Sequence, residues 1–290
     1  MQQKTISKVS DYIQTIEQLR SFYPNGMLSN NPTNNHFLFR GLSNENYELI
    51  PGIYREDKKT PNNKLYLSWT SEEGLLQKFI QEASAYVDLP SNDYFHWAEY
   101  AQHFGVPTRL LDWTSNPLVA LYFACKDRND TNAVVWVLHV KNYGNIPDPQ
   151  AEMMMNKSRR ELVDEALHGN AGYEYPLIYT PSYVDKRMSA QSSYFMVWGK
   201  QDIPFEKMFT DDKYWMEIPE KEPGFRTYGD RQVENMLFSI KVFADRKQPI
   251  LHELDSLGIN EKTLFPGLDG IGRYIERRYR FDYNELLNNI

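Results

Sequence analysis

A chain of 290 residues with 41% hydrophobic and 24% charged residues has enough apolar surface for a sizeable core, which excludes wholesale disorder and the fibrous classes. Thirty-nine acidic residues against 32 basic ones leave a formal charge of −7, which argues against broad nonspecific binding to nucleic acid or anionic membrane. No run approaches the roughly 18 apolar residues of a membrane span, no secretory leader is visible, and Cys125 is the single cysteine, so a cytoplasmic protein without a disulfide is expected.

In chain order, Val9, Tyr12, Ile13, Ile16 and Leu19 recur at helical spacing and predict an amphipathic helix within 1–30, ended by the turn Tyr23-Pro24-Asn25-Gly26. A polar stretch over 29–35 gives way to His36-Phe37-Leu38-Phe39-Arg40-Gly41, an apolar run closed by glycine that predicts a strand with Arg40 at its end. Ser71 followed by Glu72 and Glu73, with Leu75, Leu76, Phe79, Ile80, Ala83 and Val87 beyond, predicts a helix capped at Ser71. A helix over 95–104 stops at Gly105, 107–113 runs extended, and a helix with Pro117 near its first position is capped by Asp112 or Thr114. Residues 133–140, apolar and rich in β-branched side chains, suit a buried central strand.

The polar segment 141–176 reads as an insertion or flap with a short helix over 158–167 closed by Gly169. Strand character returns over 188–198, a second polar insertion covers 200–235 with a short strand at 216–219, and 238–243 alternates as a strand. Helices over 250–257 and 271–279 close the chain. The whole predicts one α+β domain with a central mixed β-sheet flanked by helices: a first core half over 36–140, a strand over 187–198, a closing part over 236–290, and polar insertions between.

An arginine at the end of a buried strand, beside a glycine that admits close approach, suits bidentate binding of a phosphate or carboxylate; a structural salt bridge from Arg40 to Asp112 would satisfy it equally. The turn Asp112-Trp113-Thr114-Ser115-Asn116-Pro117 places hydroxyls and an amide at a helix start, where free N–H groups attract anions, although a plain cap needs no ligand. His96 and His103 lie seven apart on one helix face without a third ligand at zinc-site spacing, so no metal is expected, and His103 can contact a bound ligand. Cys125 falls on the apolar stripe of its helix and reads as core. Arg273, Arg277, Arg278 and Arg280, interleaved with Tyr274 and Tyr279, suit a solvated face better than a nucleic-acid contact.

Phe37-Leu38-Phe39-Arg40-Gly41 and Gln102-His103-Phe104-Gly105-Val106-Pro107-Thr108-Arg109-Leu110-Leu111-Asp112-Trp113-Thr114 resemble the signatures of the FRG domain family. Asn116-Pro117-Leu118-Val119-Ala120-Leu121-Tyr122-Phe123-Ala124 continues the agreement; Arg187, Gln191 and Phe195 resemble its third motif and 264–270 its closing one, so the likeness runs over roughly 7–279. More loosely, the order of these motifs is similar to ADP-ribosyltransferases. That likeness implies an ADP-ribosyltransferase-like core in which Arg40, Gly41, His103, Asp112, Thr114 and Ser115 hold NAD and Gln191 stands where the fold's glutamate acts on the ribose.

An amide at Gln191 supplies no negative charge to a developing cation, so another carboxylate, Asp112 or Glu217, would have to serve. The readings left open are an NAD-using enzyme modifying a protein acceptor, as a toxin or phage-defence effector; a noncatalytic nucleotide-binding or sensor domain; and a protein-interaction module presenting the two insertions.

Overall fold

The computed structural model describes residues 4–22, 37–55, 68–144, 157–183, 185–208, 215–217, 226–228 and 236–288. The expected turn at 23–26, the polar stretch 29–35 and His36 lie outside them, as does most of 200–235. The strands are β1 (Thr5–Ile6), β2 (Phe37–Leu42), β3 (Leu110–Thr114), β4 (Ala133–His139), β5 (Leu177–Tyr179), β6 (Ser193–Val197), β7 (Trp215–Glu217), β8 (Arg226–Tyr228) and β9 (Leu237–Val242). They form one sheet in the order β5-β6-β3-β2-β4-β9-β8-β7, with β1 added in parallel to β9. Every other pairing is antiparallel, so the α+β class with a central mixed sheet holds.

The helices are α1 (Val9–Phe22), α2 (Ser68–Ala83), α3 (Tyr94–His103), α4 (Pro117–Cys125), α5 (Val140–Gly144), α6 (Arg159–Leu167), α7 (Lys186–Ala190), α8 (Lys247–Ser256), α9 (Glu261–Leu264) and α10 (Leu268–Asn288). Strand β4 shows why both faces of the sheet are covered. Val135 and Val137 join the core beneath α1, α4 and α8, while Val134 and Leu138 join Leu38, Trp198 and Phe205 on the other face. A strand buried on both sides reads as a continuous apolar run rather than an alternation. Helix α4 is likewise apolar almost all round, with Val119 to Cys125 buried except Phe123, because the sheet lies under it and α1 and α8 lie over it.

Several expectations change. Segment 186–190 is helix α7, not strand, capped by Asp185 and closed by Ser192 at φ 49°, so β6 begins only at Ser193. The cap of α4 is Asn116, whose side chain accepts from Leu118 N, rather than Asp112 or Thr114. Helix α2 begins at Ser68, a turn before the expected cap. The 141–176 segment is no flap where it is described: α6 buries Leu162, Val163, Ala166 and Leu167 against α3, behind a capping box at Ser158. On α10, Ile271 and Ile275 are exposed, by 40% and 60%.

Candidate functional site

The Phe37–Leu42 strand and the 102–124 block meet because β2 and β3 are neighbours. Phe39 pairs with Thr114, and at the next positions Arg40 reaches across: its Nη1 donates to the Asp112 carbonyl and lies 3.8 Å from Asp112 Oδ2. Asp112 is aimed by its other neighbours. Thr108 Oγ1 donates to Gln102 Oε1 at 2.7 Å, which turns the Gln102 amide so that Nε2 donates to Asp112 Oδ2, also at 2.7 Å. The expected salt bridge therefore exists, in loose form, inside a longer polar chain.

Phe39, Arg40, Gln102, Asp112 and Thr114 line a cleft of about 330 Å³ together with Gly41, His103, Trp113, Phe123, Arg187, Gln191 and Phe265. Of the residues expected at the site, Arg40, Gly41, His103, Asp112, Thr114 and Gln191 converge here, while Ser115 does not line it. The Ser115 N–H instead donates to the Ser192 carbonyl, tying the Thr-Ser turn to the end of α7. Thr114 Oγ1 donates to the Gln191 carbonyl at 2.6 Å and accepts from Asn116 N at 3.0 Å, so its hydroxyl is a brace between two elements. Gln191 is the C-cap of α7, not a strand residue, and its Nε2 donates to the Leu264 carbonyl at 3.0 Å.

Gly41 has a different reason from ligand approach. A Cβ there would stand 1.9 Å from the Ala120 carbonyl oxygen and 2.6 Å from Ala124 N, so glycine lets the backbone of α4 lie directly on β2. Glu217 is excluded as the replacement carboxylate by topology. It sits on β7, the far edge strand, with β4, β9 and β8 between it and β2. Among the described residues that line the cleft, Asp112 is the only carboxylate.

Two nitrogens of cleft-lining residues, Arg40 Nε and Trp113 Nε1, are buried without a hydrogen-bond partner among the described residues, and the Trp113 side chain packs with Leu38 and Trp198 in the core on the opposite sheet face. Burial lowers the Arg40 guanidinium to about 10 against the pull of Asp112, with Arg55 adding to the fall, so it stays charged at neutral pH. His103 is lowered by burial, and Asp185, 3.5 Å from its Nε2, opposes that shift. Phe265 adds an aromatic floor: Arg187 and Arg273 hold their guanidinium carbons 5.9 and 4.9 Å from its ring centre, and Phe123 meets it edge-on at 6.1 Å. Residues 35–133 match the family model of the FRG domain. The chain carries an FRG domain. No curated protein and no solved structure matches the chain. The matched FRG span supplies Arg40, Gly41, His103, Asp112 and Thr114, whereas Arg187, Gln191 and Phe265 come from beyond it and complete the cleft in space.

Phe265, Phe123 and Gln102 were not singled out as site residues by sequence reasoning, although the family-like motifs contain all three. A larger cleft, of about 860 Å³, opens beside Arg109 and Tyr54. Three of its cations are ion-paired, Arg109 with Glu72 at 2.8 Å, Lys200 with Glu174 at 3.7 Å and Lys207 with Glu48, and Arg55 Nε donates to the Ile50 carbonyl at 3.4 Å. Cys125 is fully buried and its thiol is pushed up to about 12 by that burial, which suits core packing rather than nucleophilic chemistry. The terminal arginines are partly spoken for: Arg277 pairs with Glu261 at 2.8 Å and Arg280 with Glu276 at 2.6 Å. Among the described residues no group of three metal-ligating side chains occurs and no helix is long and apolar enough to cross a membrane.

Proposed function

We propose that the cleft of the FRG domain binds a phosphorylated nucleotide, with NAD as the ligand to test first. The observation that carries this reading is the buried Arg40 guanidinium, whose Nε has no hydrogen-bond partner among the described residues, in the wall of one cavity with the cationic Arg187. A buried donor left without an acceptor costs about 1–3 kcal/mol, and phosphate or ribose oxygens would supply what is missing. Phe123 and Phe265 offer ring faces and edges for a base.

The reaction this arrangement suits is cleavage of the bond between nicotinamide and ribose, with the ADP-ribose passing to water or to a protein acceptor. Positive charge develops on the ribose in such a step and calls for a nearby anion. Asp112 is our candidate for that anion, and Gln191 braces the wall. A noncatalytic binding domain is the second reading, favoured by the commitment of the Gln191 amide to the Leu264 carbonyl.

Thermal unfolding with and without NAD, and chromatography for released nicotinamide, separate these readings. NAD is expected to raise the Tm of the wild type, Arg40→Ala to abolish the rise, and Asp112→Asn to keep binding while losing nicotinamide release. Binding without release supports the second reading. A folded wild-type protein whose Tm does not respond to millimolar NAD refutes both for this ligand.

A further inference from the structure

At the other end of α3 from His103, about 10 Å along the helix, a second polar constellation stands apart from the cleft. His96 Nδ1 lies 2.7 Å from Asp93 Oδ2, and His96 Nε2 lies 3.0 Å from Ser182 Oγ. Asp93 is the N-cap of α3, but capping does not account for this contact. The cap bond runs from His96 N to Asp93 Oδ1 at 3.4 Å, whereas the shorter bond uses the other carboxylate oxygen and the ring. Arg160 Nη2, 3.1 Å from Asp93 Oδ1, and the bonds from His96 hold that carboxylate below its usual range against its own burial.

An ionised Asp93 can only accept, so Nδ1 carries a proton, and in the neutral imidazole Nε2 is left as the acceptor. The hydroxyl of Ser182 must then donate to Nε2. That is the resting arrangement of a serine whose proton is ready to leave. The serine is also held at a second point, since its backbone N–H donates to Glu99 Oε1 at 3.3 Å, one helical turn beyond His96. Ser182 itself is exposed on the loop after β5, and the following N–H, of Tyr183, has no acceptor among the described residues. An N–H directly after a nucleophile is one place from which a tetrahedral oxyanion is held.

We propose that Asp93, His96 and Ser182 form a nucleophilic triad that takes an acyl group from a carboxylic ester approaching from solvent. Ser182 Oγ bonds to the ester carbonyl carbon as its proton passes to His96 Nε2, and the carbonyl oxygen takes the negative charge beside the Tyr183 N–H. Collapse breaks the bond to the alkoxy oxygen, which leaves as the alcohol with the proton from Nε2. Water then attacks the acyl carbon, its proton passes to Nε2 and on to Ser182 Oγ, and the carboxylic acid departs. Asp93 stays ionised throughout and holds the imidazolium that forms in each half.

A fluorophosphonate probe tests the site without knowledge of the natural ester, because the activated serine displaces fluoride and keeps the phosphonate. The full chain is treated with the probe, digested and mapped by mass spectrometry, with p-nitrophenyl acetate hydrolysis followed in parallel. The expected result is one adduct, on the peptide holding Ser182, which Ser182→Ala removes. His96→Gln and Asp93→Asn should slow labelling on the order of 100-fold. Ser182→Ala alters an exposed hydroxyl, so an unchanged Tm confirms that its loss of labelling is chemical. A folded wild-type protein that takes up no probe overturns the triad, as does labelling that survives Ser182→Ala or proceeds at the same rate in His96→Gln.

Discussion

Replacing Gly41 by alanine separates two explanations of the same glycine. The added Cβ would sit 1.9 Å from the carbonyl oxygen of Ala120, and ordinary contact near 3.4 Å requires α4 to withdraw by 1.5 Å, the difference of the two. Helix α4 has little room to do so, since Val119, Leu121, Tyr122 and Cys125 are buried under α1 and α8. Overpacking of this kind costs about 1–3 kcal/mol, and the upper end applies because the obstructing atoms are backbone rather than a side chain that can turn away. At roughly 2–4 °C per kcal/mol for a domain of this size, the Tm should fall by about 6–12 °C. Gly74→Ala is the control: it lies within α2 with nothing inside 4 Å of its added Cβ, and should be neutral or stabilising by up to about 1 kcal/mol. Thermal and urea unfolding followed by circular dichroism give both values. A Gly41→Ala protein that melts with the wild type yet loses its nucleotide response would refute the helix-packing argument and restore the glycine to the ligand.

Two further expectations rest on buried charge. Arg109 and Glu72 are 4% and 3% exposed and joined twice, Nε to Oε2 at 2.8 Å and backbone N to Oε1 at 2.6 Å, so Arg109→Met strands a buried carboxylate and should destabilise by about 3–5 kcal/mol in urea titrations. Paired Arg109→Met and Glu72→Met should recover part of that loss; no recovery would mean the ion pair is not the reason. Glu99 is fully buried, one of its oxygens has no partner, and its pKa is pushed up to about 8, chiefly by burial. The folded state then keeps a proton that the unfolded chain gives up from about pH 4.5, so stability is greatest at acid pH and falls as pH rises towards 8. Glu99→Gln should flatten that decline, matching the wild type near pH 5 and exceeding it near pH 8; parallel pH profiles for the two proteins would contradict this assignment.

What the sequence made legible follows interaction range. The β4 run, the Pro117 start of α4 and the Ser158 to Gly169 frame of α6 are local patterns, and each reappears at or within a residue or so of its expected place. The error at 188–198 is also local. Apolar residues at Met188, Phe195 and Val197 suggested a single strand, but Asp185, whose side chain accepts from Arg187 N, was the helix-start signal that would have divided it. The pairing of Glu72 with Arg109 crosses 37 positions and leaves no periodic trace, and neither does the fate of Glu217, which strand order alone decides. Arg40 and Asp112 were legible as partners because both lay in motif-bearing segments; that Gly41 faces a helix was not, since the clash is with backbone that no side-chain pattern reports.

The cleft's wiring bears on whether it performs chemistry. The Thr114 hydroxyl is spent on the Gln191 carbonyl, the Gln191 amide on the Leu264 carbonyl and the Ser115 backbone N–H on the Ser192 carbonyl, so these contacts tie the 102–124 block to the end of α7 and α7 to α9. The group with capacity to spare is Arg40, through its Nε. Asp112, with its carboxylate 53% exposed, is held by Gln102 and shared loosely with Arg40. A diphosphate drawn to Arg40 would weaken that sharing and leave the Asp112 carboxylate, still aimed by Gln102, as the nearest anion to the sugar. On the proposed function, binding and any catalytic charge would be coupled through one guanidinium. Arg40→Lys, which keeps the charge but loses the fork that reaches the Asp112 carbonyl, should therefore damage nucleotide turnover more than nucleotide binding.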